Sequence, residues 1–121
     1  MADKVLINLA TGMEDGERVM VAFLIATSAL AQGKEVVVFA TKDAVRLGLP
    51  GAMTGVVCKD CPPLERLWQQ FVDGGGEIWL CPFCVNARDL EDAAKVANAK
   101  IAGATPVWEW AGADTMTVFS Y

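Results

Sequence analysis

Histidine is absent from all 121 residues of the chain. Without imidazole, the strong nucleophiles and soft metal ligands reduce to four cysteines, Cys58, Cys61, Cys81 and Cys84. Basic runs are missing as well. Ten Lys and Arg against fifteen Asp and Glu leave a net charge of −5, and the ten are scattered, which argues against a phosphate-tracking surface and against nucleic acid as a partner. Long apolar runs are also wanting: the longest, Val19 to Ala31, is too short for a bilayer and contains Thr27 and Ser28, so no membrane span is expected. No secretory leader is read either, because Met1-Ala2-Asp3-Lys4 passes straight into a strand pattern. These absences predict a cytoplasmic protein, whose cysteines rest mainly as thiols.

What is present is apolar. Hydrophobic residues make up 54% of the chain and mean hydropathy is +0.35, more nonpolar character than one small globule hides, so a homo-oligomer is expected. The length suits one domain spanning 1–121 with a core of its own, needing neither a disulfide nor a metal for stability. No linker, repeat or low-complexity segment divides it.

The pattern alternates β-branched runs with helical ones. Lys4–Leu9 and Glu35–Ala40 read as buried strands, with a helix from Gly16 to Gln32 between them, capped by Gly33. A short helix over Lys42 to Leu47 precedes a loop carrying the first cysteine pair. Leu64, Leu67, Trp68, Phe71 and Val72 then recur at helical spacing behind Pro62-Pro63. Glu77–Leu80 is a third strand. Asn86 to Ala99 predicts one or two helical turns and then a helix, Lys100 to Ala104 a short strand or turn, Pro106 to Ala113 a helix, and Met116 to Tyr121 a last strand. Strands separated by helices predict an α/β fold: a parallel sheet of about five strands with helices on both faces.

Reactive groups in such sheets gather at the carboxyl ends of strands. Cys81 follows the strand ending at Leu80 and precedes a helical turn, where backbone N–H groups and the helix dipole favour its thiolate. Cys84 lies one turn on, within reach as a resolving thiol, and Arg88, a further turn along, is placed to add positive charge to the same face. Two other readings stand beside this one. The spacing C-x₂-C-x₁₉-C-x₂-C across Cys58, Cys61, Cys81 and Cys84 fits a tetrahedral zinc site, and Cys81-Pro82-Phe83-Cys84 alone fits a dithiol oxidoreductase. Cys58 and Cys61 are otherwise loop thiols or a second redox pair. Thr11, Gly12, Met13 and Glu14 stand after the first strand, placed to line the same region, and Trp108 and Trp110 are assigned to core or subunit packing. Gly74-Gly75-Gly76 precedes a strand and lacks the context of a phosphate cradle.

Taken along its length, the sequence resembles the DsrE/DsrF-like sulfur-relay family. The resemblance runs through the Thr11-Gly12 loop, Gly33 to Phe39, Pro63-Leu64, Gly74 to Leu90 including Cys81-Pro82-Phe83-Cys84, Pro106-Val107-Trp108-Glu109-Trp110 and the ending Phe119-Ser120-Tyr121. It implies a cytoplasmic α/β protein assembling as trimers or hexamers, with a cysteine after the third strand carrying sulfane sulfur as a persulfide. Cys81 takes that place, with Cys84 beside it. The implied partners are sulfur donor and acceptor proteins or small sulfur species, and no cofactor is implied. Sulfur carriers of the family commonly run from this cysteine to Arg-Arg-Gly, where this chain has Ala87-Arg88-Asp89.

Overall fold

Three runs of aliphatic and β-branched residues, Lys4–Leu9 (β1), Glu35–Ala40 (β2) and Glu77–Leu80 (β3), form the inner strands of the sheet in the computed structural model, which describes residues 3–56 and 58–121. Ala99–Ile101 (β4) and Met116–Ser120 (β5) are its edges, giving the order β4-β3-β2-β1-β5 with every neighbouring pair parallel. The α/β parallel sheet expected from the sequence is therefore the one observed.

Alternation along the strands divides the core in two. Val5, Ile7, Leu9, Val36, Val38, Ala40, Ile78 and Leu80 face one side, and Leu6, Val37 and Trp79 the other. On the first side lie α1 (Gly16–Ala31), α2 (Leu64–Asp73) and α3 (Pro82–Ala87). Helix α1 buries Val19, Ala22, Phe23 and Ala26, the spacing of one helical stripe. Phe23 meets Trp68 and Phe71 of α2 edge-on, with centroids 5.6 and 5.2 Å away. Burying a fully enclosed side chain such as Phe23 or Phe71 contributes about 1.5–3 kcal/mol. Successive connections from β1 to β4 step in one direction, so right-handed crossovers put their helices on one face. The return to β5 reverses that step and puts α4 (Ala104–Ala111) on the other. Among the described residues no helix is long and apolar enough to cross a membrane.

Three helices end in one way. The residue two past the last helical one takes a left-handed φ, and the next amide reaches back to close the turn: Lys34 to Ala29 after Gly33, Gly76 to Phe71 after Gly75, and Leu90 to Val85 after Asp89. In the third case an aspartate at φ +54° holds the position that glycine fills in the first two. Asp89→Gly is therefore expected to raise stability by about 0.5–1 kcal/mol, read as a higher urea midpoint at unchanged slope.

Two expected elements differ. The helix anticipated within Asn86 to Ala99 does not form beyond Ala87. Instead the Lys95 ammonium donates to the carbonyls of Leu90, Glu91 and Ala93, and the Val96 amide bonds Gly48 O at 2.9 Å. These local side-chain bonds and the one tertiary bond to Gly48 replace the i→i−4 ladder. Helix α4 begins at Ala104 rather than Pro106, since a proline in the first turn removes an N–H that has no intrahelical partner anyway. It stops at Ala111, before Gly112 at φ +54°. Between β2 and α2, Lys42–Gly48 is a 3₁₀ segment, and a second, Ala52–Gly55, had no counterpart in the sequence reading.

Candidate functional site

The pairing of Ala40 with Leu80 brings the exits of β2 and β3 side by side. Cys81 extends that ladder by one step, donating its N–H to Ala40 O at 2.9 Å. It is also the cap residue of α3, and Pro82 follows at the first helical position. Proline there holds the preceding residue extended, matching ψ 122° at Cys81, and its ring presets the helical φ. The first helical bond runs from Val85 N to Cys81 O, 3.0 Å. The Cys81 side chain accepts no cap bond from the helix, so its sulfur is not committed to holding the turn together. The first-turn amides of Phe83 and Cys84 have no intrahelical acceptor. Cys81 is half-buried and its thiol is free.

Cys84 is free too and packs partly into the main core. Its Sγ accepts the backbone N–H of Lys42 at 3.0 Å. Lys42 has φ +54°, a left-handed bend at the exit of β2. Arg88, expected to add positive charge to the cysteine face, is held in an ion pair. Its Nε donates to Asp43 Oδ1 at 2.6 Å and its second guanidinium nitrogen to Cys84 O at 3.2 Å, while Arg46 stands 3.6 Å from the same carboxylate. A carboxylate on the β2 exit thus ties down the cysteine-bearing helix from its far end.

The Arg88 hydrogen bond and charge, with Arg46 behind them, hold the Asp43 carboxyl below its ordinary range. A carboxyl depressed in the folded state contributes stability that is full above the unfolded value of about 3.9 and is lost as pH falls through the folded one. The stability difference between the protein and Asp43→Asn is expected to stay constant from about pH 7 to 5 and to shrink below about pH 4. A difference that grows in acid would contradict the ion-pair assignment.

Of the loop after β1, Thr11 and Gly12 are buried and Met13 is exposed. Glu14 turns back to accept the Gly12 amide at 2.8 Å. A Cβ on Gly12 would stand 2.6 Å from Asp43 O, so this loop forms the wall on which Asp43 rests. Lys42 and Asp43 were not singled out from sequence; the only signal was an acidic residue opening a helical turn directly after a strand.

The four cysteines are not assembled around one point. Cys58 and Cys61 are joined to each other as a disulfide, Cα–Cα 5.6 Å, and no group of three or more Cys, His, Asp or Glu placed to hold a metal occurs among the described residues. The four-thiolate zinc reading is corrected accordingly. The two tryptophans separate. Trp110 packs edge-on against Trp79 at 6.1 Å, with the Lys4 ammonium over its ring, whereas Trp108 is 71% exposed and lies outside the core.

A small parallel α/β domain with a free cysteine where an inner strand gives way to a helix defines the class. The sequence model of the DsrE/DsrF-like family matches residues 3–117, and the chain belongs to that family. An uncharacterized protein of Methanopyrus kandleri, MK0008, is 28% identical over 103 residues, covering 85% of this chain and 82% of that protein. Among solved structures, the YchN protein of E. coli superposes with a TM-score of 0.77 at 15% identity over 100% of both chains. A conserved protein of unknown function from Bacteroides thetaiotaomicron, BT1422, gives 0.58 at 14% identity over 96% of this chain and 94% of its own. At these identities the two structures establish the shared fold.

Proposed function

We propose that the protein is a cytoplasmic sulfur relay in which Cys81 carries sulfane sulfur as a persulfide. The observation that carries this reading is the place of Cys81: a free, half-buried thiol at a strand-to-helix junction, uncommitted to the cap, in a chain of the DsrE/DsrF-like family. The Cys81 thiolate attacks the outer sulfur of a donor persulfide, the donor's S–S bond breaks and the donor leaves as a thiolate. Handing on is the same exchange with an acceptor thiolate, so no net oxidation occurs. Cys84 is the second thiol. Its attack on the inner sulfur of the persulfide forms a Cys81–Cys84 disulfide and expels hydrosulfide, which gives the relay a way to discharge without an acceptor.

Donor and acceptor are proteins or small sulfur species, and the working form is a homo-oligomer, a trimer or hexamer. What supports assembly is the second face of the sheet, where α4 is the one helix among the described residues, with Trp108 71% and Val118 50% exposed beside it. The test is sulfur loading. Polysulfide treatment followed by peptide mass spectrometry is expected to add about 32 mass units, one sulfur, to the peptide holding Cys81.

A further inference from the structure

The relay does not use Cys58 and Cys61. We infer that this pair is a thiol–disulfide exchange centre in its own right, whose substrates are thiols. The pair spans an exposed loop in which Lys59, Asp60, Pro62 and Pro63 all face solvent, and both cysteines are half-buried. Neither sulfur belongs to either core cluster. The core is secured on both sides of the loop without them, by Val56 at 5% and Leu64 at 4% exposure.

A staple role is poorly served by this bond. The entropy a disulfide removes from the unfolded chain grows with the loop it closes, and Cys58 and Cys61 are only three residues apart. Breaking it opens a turn whose cysteines belong to neither core cluster. What the arrangement does provide is access for an incoming thiolate and a favourable leaving group. Cys61 leads through Pro62-Pro63 into α2, a ten-residue helix whose first turn has no side-chain cap. Cys61 stands two residues before the Pro63 cap, on the N-terminal side of that helix, the side whose dipole favours a thiolate.

The exchange is written accordingly. A thiolate RS⁻ attacks Cys58 Sγ, the Cys58–Cys61 bond breaks and Cys61 leaves as the thiolate. A second RS⁻ attacks the sulfur of R in the mixed disulfide and releases R–S–S–R. Two thiols lose two electrons and two protons, and the pair gains them as two Cys–SH groups. Run backwards, the dithiol reduces a small or protein disulfide.

The experiment uses the full chain carrying Cys81→Ser and Cys84→Ser, so that success or failure is independent of sulfur loading. One arm equilibrates it with glutathione buffers of set ratio, the other with reduced thioredoxin. Both are quenched by alkylation and scored on the peptide containing Cys58 and Cys61. The expected result is a reversible titration reaching the same end point from oxidised and reduced starts, a melting temperature that differs by less than about 5 °C between the two forms, and, on adding Cys61→Ser, a glutathione adduct retained on Cys58. Reduction by glutathione assigns small thiols as substrates, and reduction by thioredoxin alone assigns protein dithiols. A disulfide that neither arm reduces below the melting temperature, or whose reduction unfolds the domain, overturns the proposal.

Discussion

Replacing Cys81 by Ser is expected to drop sulfur loading to the level of an untreated control while the domain stays folded. The loss follows from chemistry: a serine hydroxyl is not ionised near neutral pH and forms no persulfide, so the acceptor atom is removed with almost no change in shape. Retention of the fold follows from the geometry. Cys81 is tied into the sheet and the helix by its backbone, through N–H to Ala40 O and C=O from Val85 N, and its side chain makes no cap bond. A stability change within about 0.5 kcal/mol is expected, the usual range for sites without a committed side-chain contact. Cys84→Ser separates the two thiols. It keeps an acceptor for the Lys42 amide and leaves Cys81 free to load, but it removes the sulfur that would expel hydrosulfide. The loaded form of that variant should therefore discharge more slowly. If Cys84→Ser abolishes loading and Cys81→Ser does not, the roles assigned to the two cysteines are wrong.

The Arg-Arg-Gly to which sulfur carriers resembling this chain commonly run, and this chain's Ala87-Arg88-Asp89, acquire a physical meaning from the same few residues. The last of the three is the left-handed closing position of α3, where a glycine is unstrained and Asp89 sits at φ +54°. The middle one, Arg88, joins Asp43 to the carbonyl of Cys84. The segment after the cysteines is thus a device for ending the helix and fixing it to the neighbouring strand exit. It holds the turn that carries both thiols.

Much of this was open to reading from the residues, for reasons that differ by element. The inner strands are continuous β-branched runs bounded by turns, and α1 and α2 show apolar positions three and four apart, so period alone assigns them. The place of Cys81 at a strand exit was legible because it directly follows such a strand. The stretch from Leu90 to Ala97 misled because its alanines and Leu90 favour helix, whereas the Lys95 ammonium takes up three nearby carbonyls and the Val96 amide bonds Gly48, a residue more than forty positions away. The same holds for Asp43 and Arg88, 45 apart in sequence, and for the left-handed Lys42, since nothing in a lysine announces a positive φ. The Cys58–Cys61 spacing was equally compatible with metal and with a disulfide; only the placement of the other pair decides between them.

Gly12→Ala is the variant expected to damage fold and site together. An added Cβ would lie 2.6 Å from Asp43 O, 2.8 Å from Asp43 C and 3.2 Å from Ala44 N. All three are backbone atoms of a segment whose next residues, Ala44 and Val45, are buried in the main core, so no flexible side chain can swing aside. Relief requires moving either the loop after β1 or the exit of β2. Overpacking of this kind costs about 1–3 kcal/mol, several degrees of melting temperature in a domain of this size. Moving the β2 exit also carries Lys42 and Asp43 away from Cys84 and Arg88, so the surviving folded fraction should load or discharge sulfur at an altered rate. Asp43→Asn is the control, since it weakens the ion pair without displacing any backbone. A kinetic change in Gly12→Ala that exceeds the one in Asp43→Asn identifies backbone placement of the β2 exit as what positions the cysteine helix. A Gly12→Ala protein as stable as its parent would mean that the loop yields freely, and the wall assigned to Thr11 and Gly12 would not exist.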